Sequence, residues 1–176
     1  MRSRLEDMPF LWGAATSAHQ VEGHDEASDW HDWEVAAGTN CHEPAGAACD
    51  HINRYDEDIA LLAGIGLNCY RFSVAWSRIE PEPGLFSSEW LAHYRRMLEA
   101  CHAHGLMPML TLHHFANPRW VAAQGGWENP ATADAFARFA DRVMDEMGDL
   151  VSVLLTINEP NVVALLGYEE GSFPPG

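Results

Sequence analysis

Four short apolar segments recur along the chain, and the last three begin about forty residues apart. Residues 151–157 form an uncharged run of aliphatic and β-branched side chains, which predicts a parallel strand buried on both faces. Pro160 lacks a backbone N–H, so the strand is expected to end there with Asn158 and Glu159 at its carboxyl edge. The other predicted strands are residues 10–16, 67–74 and 107–113.

Between these segments the apolar residues recur at helical spacing. Three faces result: Ile52, Tyr55, Ile59 and Leu62; Leu91, Tyr94, Leu98 and Cys101; and Phe136, Phe139, Val143 and Met147. Each predicted helix ends near a glycine, Gly64, Gly105 or Gly148, where a left-handed cap would fit. Strict alternation of strand and helix predicts right-handed crossovers and a parallel sheet.

Two architectures accommodate this alternation. An open doubly wound sheet that binds a dinucleotide would need a Gly-rich turn after the first strand, and the sequence Gly-Ala-Ala-Thr at 13–16 does not supply it. A complete (β/α)₈ barrel needs about 250 residues. With 176 residues, the chain is predicted to have an α/β fold, the N-terminal half of a (β/α)₈ TIM barrel with strands 1 to 4 and three intervening helices.

Composition excludes several classes of function. The chain has 26 acidic and 10 basic residues, and its formal net charge of −16 disfavours nucleic acid and anionic membranes as partners. Every basic residue is arginine, so Schiff-base chemistry on lysine and a Walker phosphate loop are excluded. No apolar run approaches 18 residues, and we expect a cytoplasmic protein without a membrane span.

Four cysteines at irregular spacing predict reduced thiols rather than a disulfide framework. Cys41, His42, Cys49 and His51 lie close together in the sequence, but their spacing fits no zinc-site pattern. We therefore predict neither a metal nor a cofactor.

Polar and aromatic side chains lie on or just beyond each of the four predicted strands. Gln20 follows the first strand and His114 and Phe115 the third, Arg71 lies on the second, and Asn158 and Glu159 follow the fourth. The carboxyl ends of parallel strands meet at one rim. Amides and imidazoles bind sugar hydroxyls and aromatic faces cover sugar rings, so this set predicts a carbohydrate site.

Several longer motifs carry a family resemblance. They are FLWGAATSAHQVEG at 10–23, DH at 50–51, RY at 54–55, EDI at 57–59, YRFSVAWSRI at 70–79, TLHHF at 111–115, GW at 126–127 and TINEP at 156–160. Together they make the chain similar to the N-terminal part of family 1 glycoside hydrolases, the β-glucosidase family. The resemblance implies a (β/α)₈ barrel that hydrolyses β-glycosidic bonds with retention of configuration.

The resemblance also implies roles for individual residues. Glu159 would be the general acid and base, and Arg71 would support the nucleophile. Asn158 would bind the sugar 2-hydroxyl, and Gln20 and His114 other hydroxyls. Phe115 stands where the family more often has tryptophan, and His19 where tyrosine is usual, so the contacts of the first strand are expected to differ.

One component of a retaining site is absent from the sequence. Retention needs a second carboxylate about 5 Å from the first, and the resemblance places it on a seventh strand, beyond Gly176. We therefore expect residues 1–176 to be an incomplete barrel domain, inactive alone, that self-associates through open edges.

Two alternatives stay open. One is a noncatalytic half-barrel that binds sugar or is completed by a partner chain. The other is a metal-dependent hydrolase that uses His102 and His104, which have the right spacing but fall at the end of a helix.

Overall fold

The computed structural model describes residues 10–176, which contain a four-stranded parallel sheet. Its strands are β1 Gly13–Ala15, β2 Cys69–Ser73, β3 Met107–His113 and β4 Val153–Ile157. Their order is β1-β2-β3-β4, and every neighbouring pair is parallel. A barrel wall is wound in this sequential order, whereas strand order reverses within an open doubly wound sheet. The topology therefore favours half a barrel.

Three long helices make the crossovers between strands: α3 His51–Gly64, α5 Ser88–Ala103 and α7 Ala131–Met147. The short helices are α1 Ala18–Val21, α2 Asp29–Val35, α4 Trp76–Ile79, α6 Arg119–Ala123 and α8 Pro160–Val162, with 3₁₀ turns at Gly126–Glu128 and Gly148–Leu150 and a π-helical segment at Val163–Glu169. No helix within residues 10–176 is both long enough and apolar enough to cross a membrane.

The helix caps follow the prediction at one position of three. Gly105 has a left-handed backbone, with φ of 75°. After α3 the left-handed residue is Gly66 rather than Gly64. Gly148 has φ of −63°, because α7 continues into a right-handed 3₁₀ turn there.

The core lies between the sheet and the crossover helices. All four residues of the face predicted for α5 are fully buried. Trp76 is 1% exposed, and its ring packs against those of Trp120, Trp127, Phe136 and Phe139. Its indole Nε1–H donates to Glu80 Oε2 at 2.7 Å, so the largest core side chain is held by both packing and a hydrogen bond.

The prediction that β4 is buried on both faces is wrong for this chain. None of its five residues is buried, and Leu154 is 39% exposed. The reason is its position at the edge of the sheet, where β3 is its one strand partner among residues 10–176. An uncharged aliphatic run indicates a strand suited to burial, but burial also requires a neighbouring strand and a covering layer.

Candidate active site at the carboxyl edge of the sheet

Arg71 joins three strands through its guanidinium group. On β2, its Nε–H donates to Thr111 Oγ1 of β3 at 2.9 Å, and Nη2 donates to Asn158 Oδ1, just after β4, at 2.6 Å. Both acceptors are uncharged. A guanidinium has five N–H donors, so this bridge positions the strand ends and leaves donors for an anionic group.

Asn158 is buried, and its amide has one orientation. Its backbone N–H donates to the His113 carbonyl at 2.8 Å, which extends the β3–β4 pairing by one residue. Because Arg71 donates to Oδ1, the amide Nδ2 is left to act as a donor; it lies 3.4 Å from Glu159 Oε2. The structure thus brings the predicted amide and carboxylate together.

Glu159 has a left-handed backbone, with φ of 45°, and is exposed. The following Pro160 is the first residue of α8, and a residue before proline is disfavoured in the right-handed helical region. A left-handed backbone at a residue other than glycine is uncommon and concentrates at functional sites. This turn ends the strand and presents the carboxylate at the rim of the sheet.

A pocket of about 100 Å³ lies at the same edge of the sheet. Its lining residues are Ser17, His19, Gln20, Trp30, His114, Phe115 and Phe173. Three residues predicted for substrate binding, Gln20, His114 and Phe115, therefore share one pocket. We refer to this cavity as the rim pocket.

Two aromatic residues of the rim pocket were missed by sequence reasoning. Phe173 contacts Trp30 with ring centroids 4.9 Å apart and Phe115 with centroids 5.7 Å apart, in both cases edge to face. Phe115 in turn packs against His114 at 4.9 Å. In the sequence, Trp30 lies in the long polar segment 21–50 and Phe173 precedes two prolines. Neither pattern shows where the side chain lies in the fold.

His114 has the properties of a neutral hydrogen-bonding group. Burial, and secondly the positive charge of Arg71, lower the pKa of His114 to about 4. Its Nδ1 is buried and has no partner within the described chain. A neutral imidazole has one donor and one acceptor nitrogen, which suits a sugar hydroxyl.

His19, which stands where the family usually has tyrosine, contacts the segment 21–50. Its Nε2 lies 2.8 Å from Glu34 Oε1, and Glu34 Oε2 accepts a hydrogen bond from the Ala45 backbone N–H at 3.1 Å. Its ring therefore forms one side of the rim pocket while a partly buried polar contact holds it.

The histidines of the metal-hydrolase alternative lie elsewhere. His102 and His104 are near the end of α5, just before β3 begins, and are thus at the sheet edge opposite Glu159. His102 contacts the Leu150 carbonyl at 2.8 Å, and His104 lies 3.5 Å from Asp56. In the cysteine-containing segment, His51 Nδ1 is 2.7 Å from Asp58 Oδ2. The contacts of His102 and His104 do not support the metal-dependent hydrolase, and the His51–Asp58 contact does not support a zinc site.

His113 gives an expected pH dependence of stability. Burial lowers the pKa of this imidazole to about 4, whereas an unfolded histidine titrates near 6.5. Between these values the unfolded chain binds a proton that the folded chain does not, so acidification from pH 6.5 to 4 should lower the free energy of unfolding by on the order of 3 kcal/mol through this residue.

The measurement is denaturant unfolding of the wild type and His113→Gln across that pH range. A glutamine amide can still donate to Asn117 but does not titrate, so the variant should have the shallower pH dependence. His42→Gln is the control for loss of an imidazole, because His42 is exposed. Equal pH dependence in the wild type and His113→Gln would contradict this reading.

The chain is similar to known proteins over most of its length. The family model described as glycosyl hydrolase family 1 matches residues 4–176. Beta-glucosidase A of Acetivibrio thermocellus is 38% identical over 174 residues, which cover 95% of this chain and 39% of that protein. The structure of a β-glucosidase from Thermotoga maritima in complex with cyclophellitol superimposes with a TM-score of 0.91 at 37% identity, covering 95% of this chain and 40% of that one.

A relative with another named activity is also similar. The cyanidin 3-O-glucoside 7-O-glucosyltransferase (acyl-glucose) of Delphinium grandiflorum is 37% identical over 182 residues, covering 98% of this chain and 36% of that protein. The chain thus spans about two fifths of the length of each relative. Together with the sequential parallel sheet, the structural match confirms the prediction of half a (β/α)₈ barrel.

Proposed function

Because the chain belongs to glycosyl hydrolase family 1, we propose that it supplies the acid–base half of a retaining β-glycosidase active site. The observation that carries this proposal is the Arg71–Asn158–Glu159 arrangement next to the rim pocket. Residues 1–176 would then be an incomplete barrel domain, and the nucleophilic carboxylate would come from a segment outside it.

In the proposed reaction Glu159 acts twice. It first donates a proton to the glycosidic oxygen of the leaving group while the second carboxylate attacks the anomeric carbon, and it then takes a proton from the water that hydrolyses the glycosyl intermediate. The exposure of Glu159 supports this role, because the leaving group and the water must both reach it. No cofactor is needed for these steps.

The other residues bind and orient. Asn158 Nδ2 is the donor available for the sugar 2-hydroxyl, since Arg71 occupies Oδ1. The remaining guanidinium donors of Arg71 would hold the incoming carboxylate. Gln20 and His114 would bind other hydroxyls, and the aromatic wall that includes Phe115 would cover the apolar face of the ring.

Hydrolysis and sugar transfer use the same first half-reaction. Both need Glu159 as the acid, and they differ in whether water or another hydroxyl attacks the glycosyl intermediate. The glucosyltransferase among the relatives is named for transfer to an acceptor. We propose hydrolysis because other relatives are named as glucosidases.

Completion of the barrel tests the proposed function. We would fuse residues 1–176 to the C-terminal part of beta-glucosidase A of Acetivibrio thermocellus that the chain does not match. The fusion should hydrolyse 4-nitrophenyl β-D-glucoside, whereas the chain alone should show no turnover above its Glu159→Gln variant. A folded fusion without turnover, or clear turnover by the chain alone, would refute the proposal.

We also propose that the isolated chain self-associates through its sheet edges. Phe10 and Trp12, beside β1, are 73% and 65% exposed. An apolar groove of about 320 Å³, lined in part by Ile157 and Pro160, lies beside β4. Unpaired apolar strand edges pair with the edges of other chains. A second copy of this chain has the same two unpaired edges.

Sedimentation velocity tests this self-association. The wild type should sediment above its monomer mass of 19.6 kDa, and Leu154→Lys, which adds a charge to the edge strand β4, should shift the distribution toward the monomer. Leu85→Lys is the matched control, because Leu85 is 57% exposed in a loop away from both edges. A compact wild-type monomer would contradict the proposal.

A further inference from the structure

The rim pocket depends on a strained turn. Directly after β3, the Ala116 backbone N–H donates to the His114 carbonyl at 2.9 Å, and Phe115 between them has φ of 68°. A three-residue turn with a positive φ at its centre is rare and strained, and a side chain adds to the strain. Such a turn persists only where its surroundings hold it, and it carries two residues that line the rim pocket, His114 and Phe115.

Asp29 holds the chain on the far side of this turn. Its Oδ1 and Oδ2 accept hydrogen bonds from the backbone N–H and Nδ2 of Asn117, both at 2.8 Å. The Asp29 backbone N–H donates to the Asn117 carbonyl at 2.9 Å, and Arg119 N–H donates to the Ala27 carbonyl at 2.9 Å. Four hydrogen bonds therefore fasten the start of α2 and the residues just before it to the segment that follows the strained turn.

The same asparagine also fixes the near side of the turn. Asn117 Oδ1 accepts from His113 Nε2–H at 2.9 Å and from Trp127 Nε1–H at 3.0 Å. Indole N–H can only donate, so Trp127 sets which end of the Asn117 amide faces it and which end faces Asp29. Asp29, Asn117 and His113 are 6%, 4% and 1% exposed, so water does not substitute for these bonds.

From these contacts we infer that Asp29 is a positioning residue of the rim pocket, acting through Asn117 on His114 and Phe115. Its carboxylate faces the backbone N–H of the next residue, Trp30, which is itself part of the lining. The hydrogen bonds between Asp29 and Asn117, which we call the clasp, therefore set the distance between two walls of the rim pocket. One wall is Trp30 in α2, and the other is His114 and Phe115 after β3. This inference rests on the proposed function in taking the rim pocket as the sugar site.

The substitution that tests this inference keeps the size and shape of the Asp29 side chain. Asp29→Asn sets an amide NH₂ against one of the two N–H donors of Asn117. If the Asn117 amide rotated to meet it, its NH₂ would face the indole N–H of Trp127, which cannot accept. One buried donor is left unsatisfied in either case, and the turn loses part of its support.

The exchanged pair should restore the network. In Asp29→Asn/Asn117→Asp, the amide at position 29 accepts from the backbone N–H of residue 117 and donates to its carboxylate. The other carboxylate oxygen accepts from His113 and Trp127. Glu80→Gln is the matched control, because Glu80 is also a buried carboxylate that accepts from one side-chain and one backbone N–H, of Trp76 and Gly84, away from the rim pocket.

The experiment is an NMR titration of the labelled 176-residue chain with methyl β-D-glucopyranoside, in which every protein carries Leu154→Lys to favour the monomer. Without sugar, Asp29→Asn should shift the His114 ring and Phe115 backbone signals. It should also weaken sugar binding about tenfold, because the loosened turn must be returned to its binding position when the sugar binds. The exchanged pair should recover both signals and affinity, and Glu80→Gln should leave both unchanged.

Three results would overturn the inference: unchanged His114 and Phe115 signals in Asp29→Asn, no recovery in the exchanged pair, or the same changes in Glu80→Gln. If Asp29→Asn fails to fold, the exchanged pair alone tests the inference. Wild-type His114 and Phe115 signals in that pair would support it, and altered signals would contradict it. A wild type that binds no sugar would refute the assignment of the rim pocket, whereas the sugar-free signals would still decide the positioning role.

Discussion

Glu159→Gln is expected to lower kcat of the completed barrel by about 10² to 10⁴-fold on a glycoside with a poor leaving group. The amide keeps the size of the side chain and can still contact Asn158 Nδ2, but it can neither give nor take a proton. The loss should be smaller for the bond-breaking step with a 2,4-dinitrophenyl leaving group, which departs without protonation.

Steady-state kinetics of the fusion protein with a series of aryl β-D-glucosides measure this effect. Glu170→Gln is the control, since Glu170 is an exposed carboxylate a few residues further along, and its kcat should change less than about twofold, the size expected away from the reacting groups. A loss below tenfold for Glu159→Gln on every substrate would mean that another group is the acid.

Trp76→Ala should remove about 3–5 kcal/mol from the free energy of unfolding. The substitution empties the centre of the aromatic cluster formed with Trp120, Trp127 and Phe139, and it leaves the buried Glu80 carboxylate without its indole donor. Since a domain has about 5–15 kcal/mol of stability in total, this one change should bring the chain close to unfolding.

Trp12→Ala is the matched control for the loss of an indole. Trp12 is 65% exposed, so its removal should change stability by no more than about 0.5 kcal/mol. Denaturant unfolding of the two variants and the wild type gives the comparison, each at a concentration at which it sediments as a monomer, so that contacts of Trp12 at the sheet edge do not contribute. Similar losses for both tryptophans would contradict the packing described for the core.

Local pattern was enough for much of the fold. The predicted bounds of β3 are confirmed at both ends, because an apolar run between a helix cap at Gly105 and a polar strand end has one interpretation. The first strand is shorter than the predicted 10–16, since only Gly13–Ala15 pair with β2. Burial of β4 was mispredicted because it depends on neighbours that its own sequence does not contain.

The site was predictable wherever a residue lies on a strand or directly follows one. Arg71 and Asn158 meet because parallel strands end at one edge, and the sequence alone implies this. The clasp between Asp29 and Asn117 joins residues 88 positions apart in two irregular segments, with no periodicity to align them. Phe173 was missed for the same physical reason, because its contact with Trp30 depends on how two loops fold over the sheet edge.

Chemical rescue of Glu159→Ala in the completed barrel tests the role of Glu159 most directly. With 2,4-dinitrophenyl β-D-glucoside the glycosyl intermediate should form but hydrolyse slowly, because no general base activates water. Azide needs no such activation, so it should restore turnover and yield the β-configured glucosyl azide. An α-configured azide would make Glu159 the nucleophile, and absence of rescue would contradict its assignment as the general acid and base.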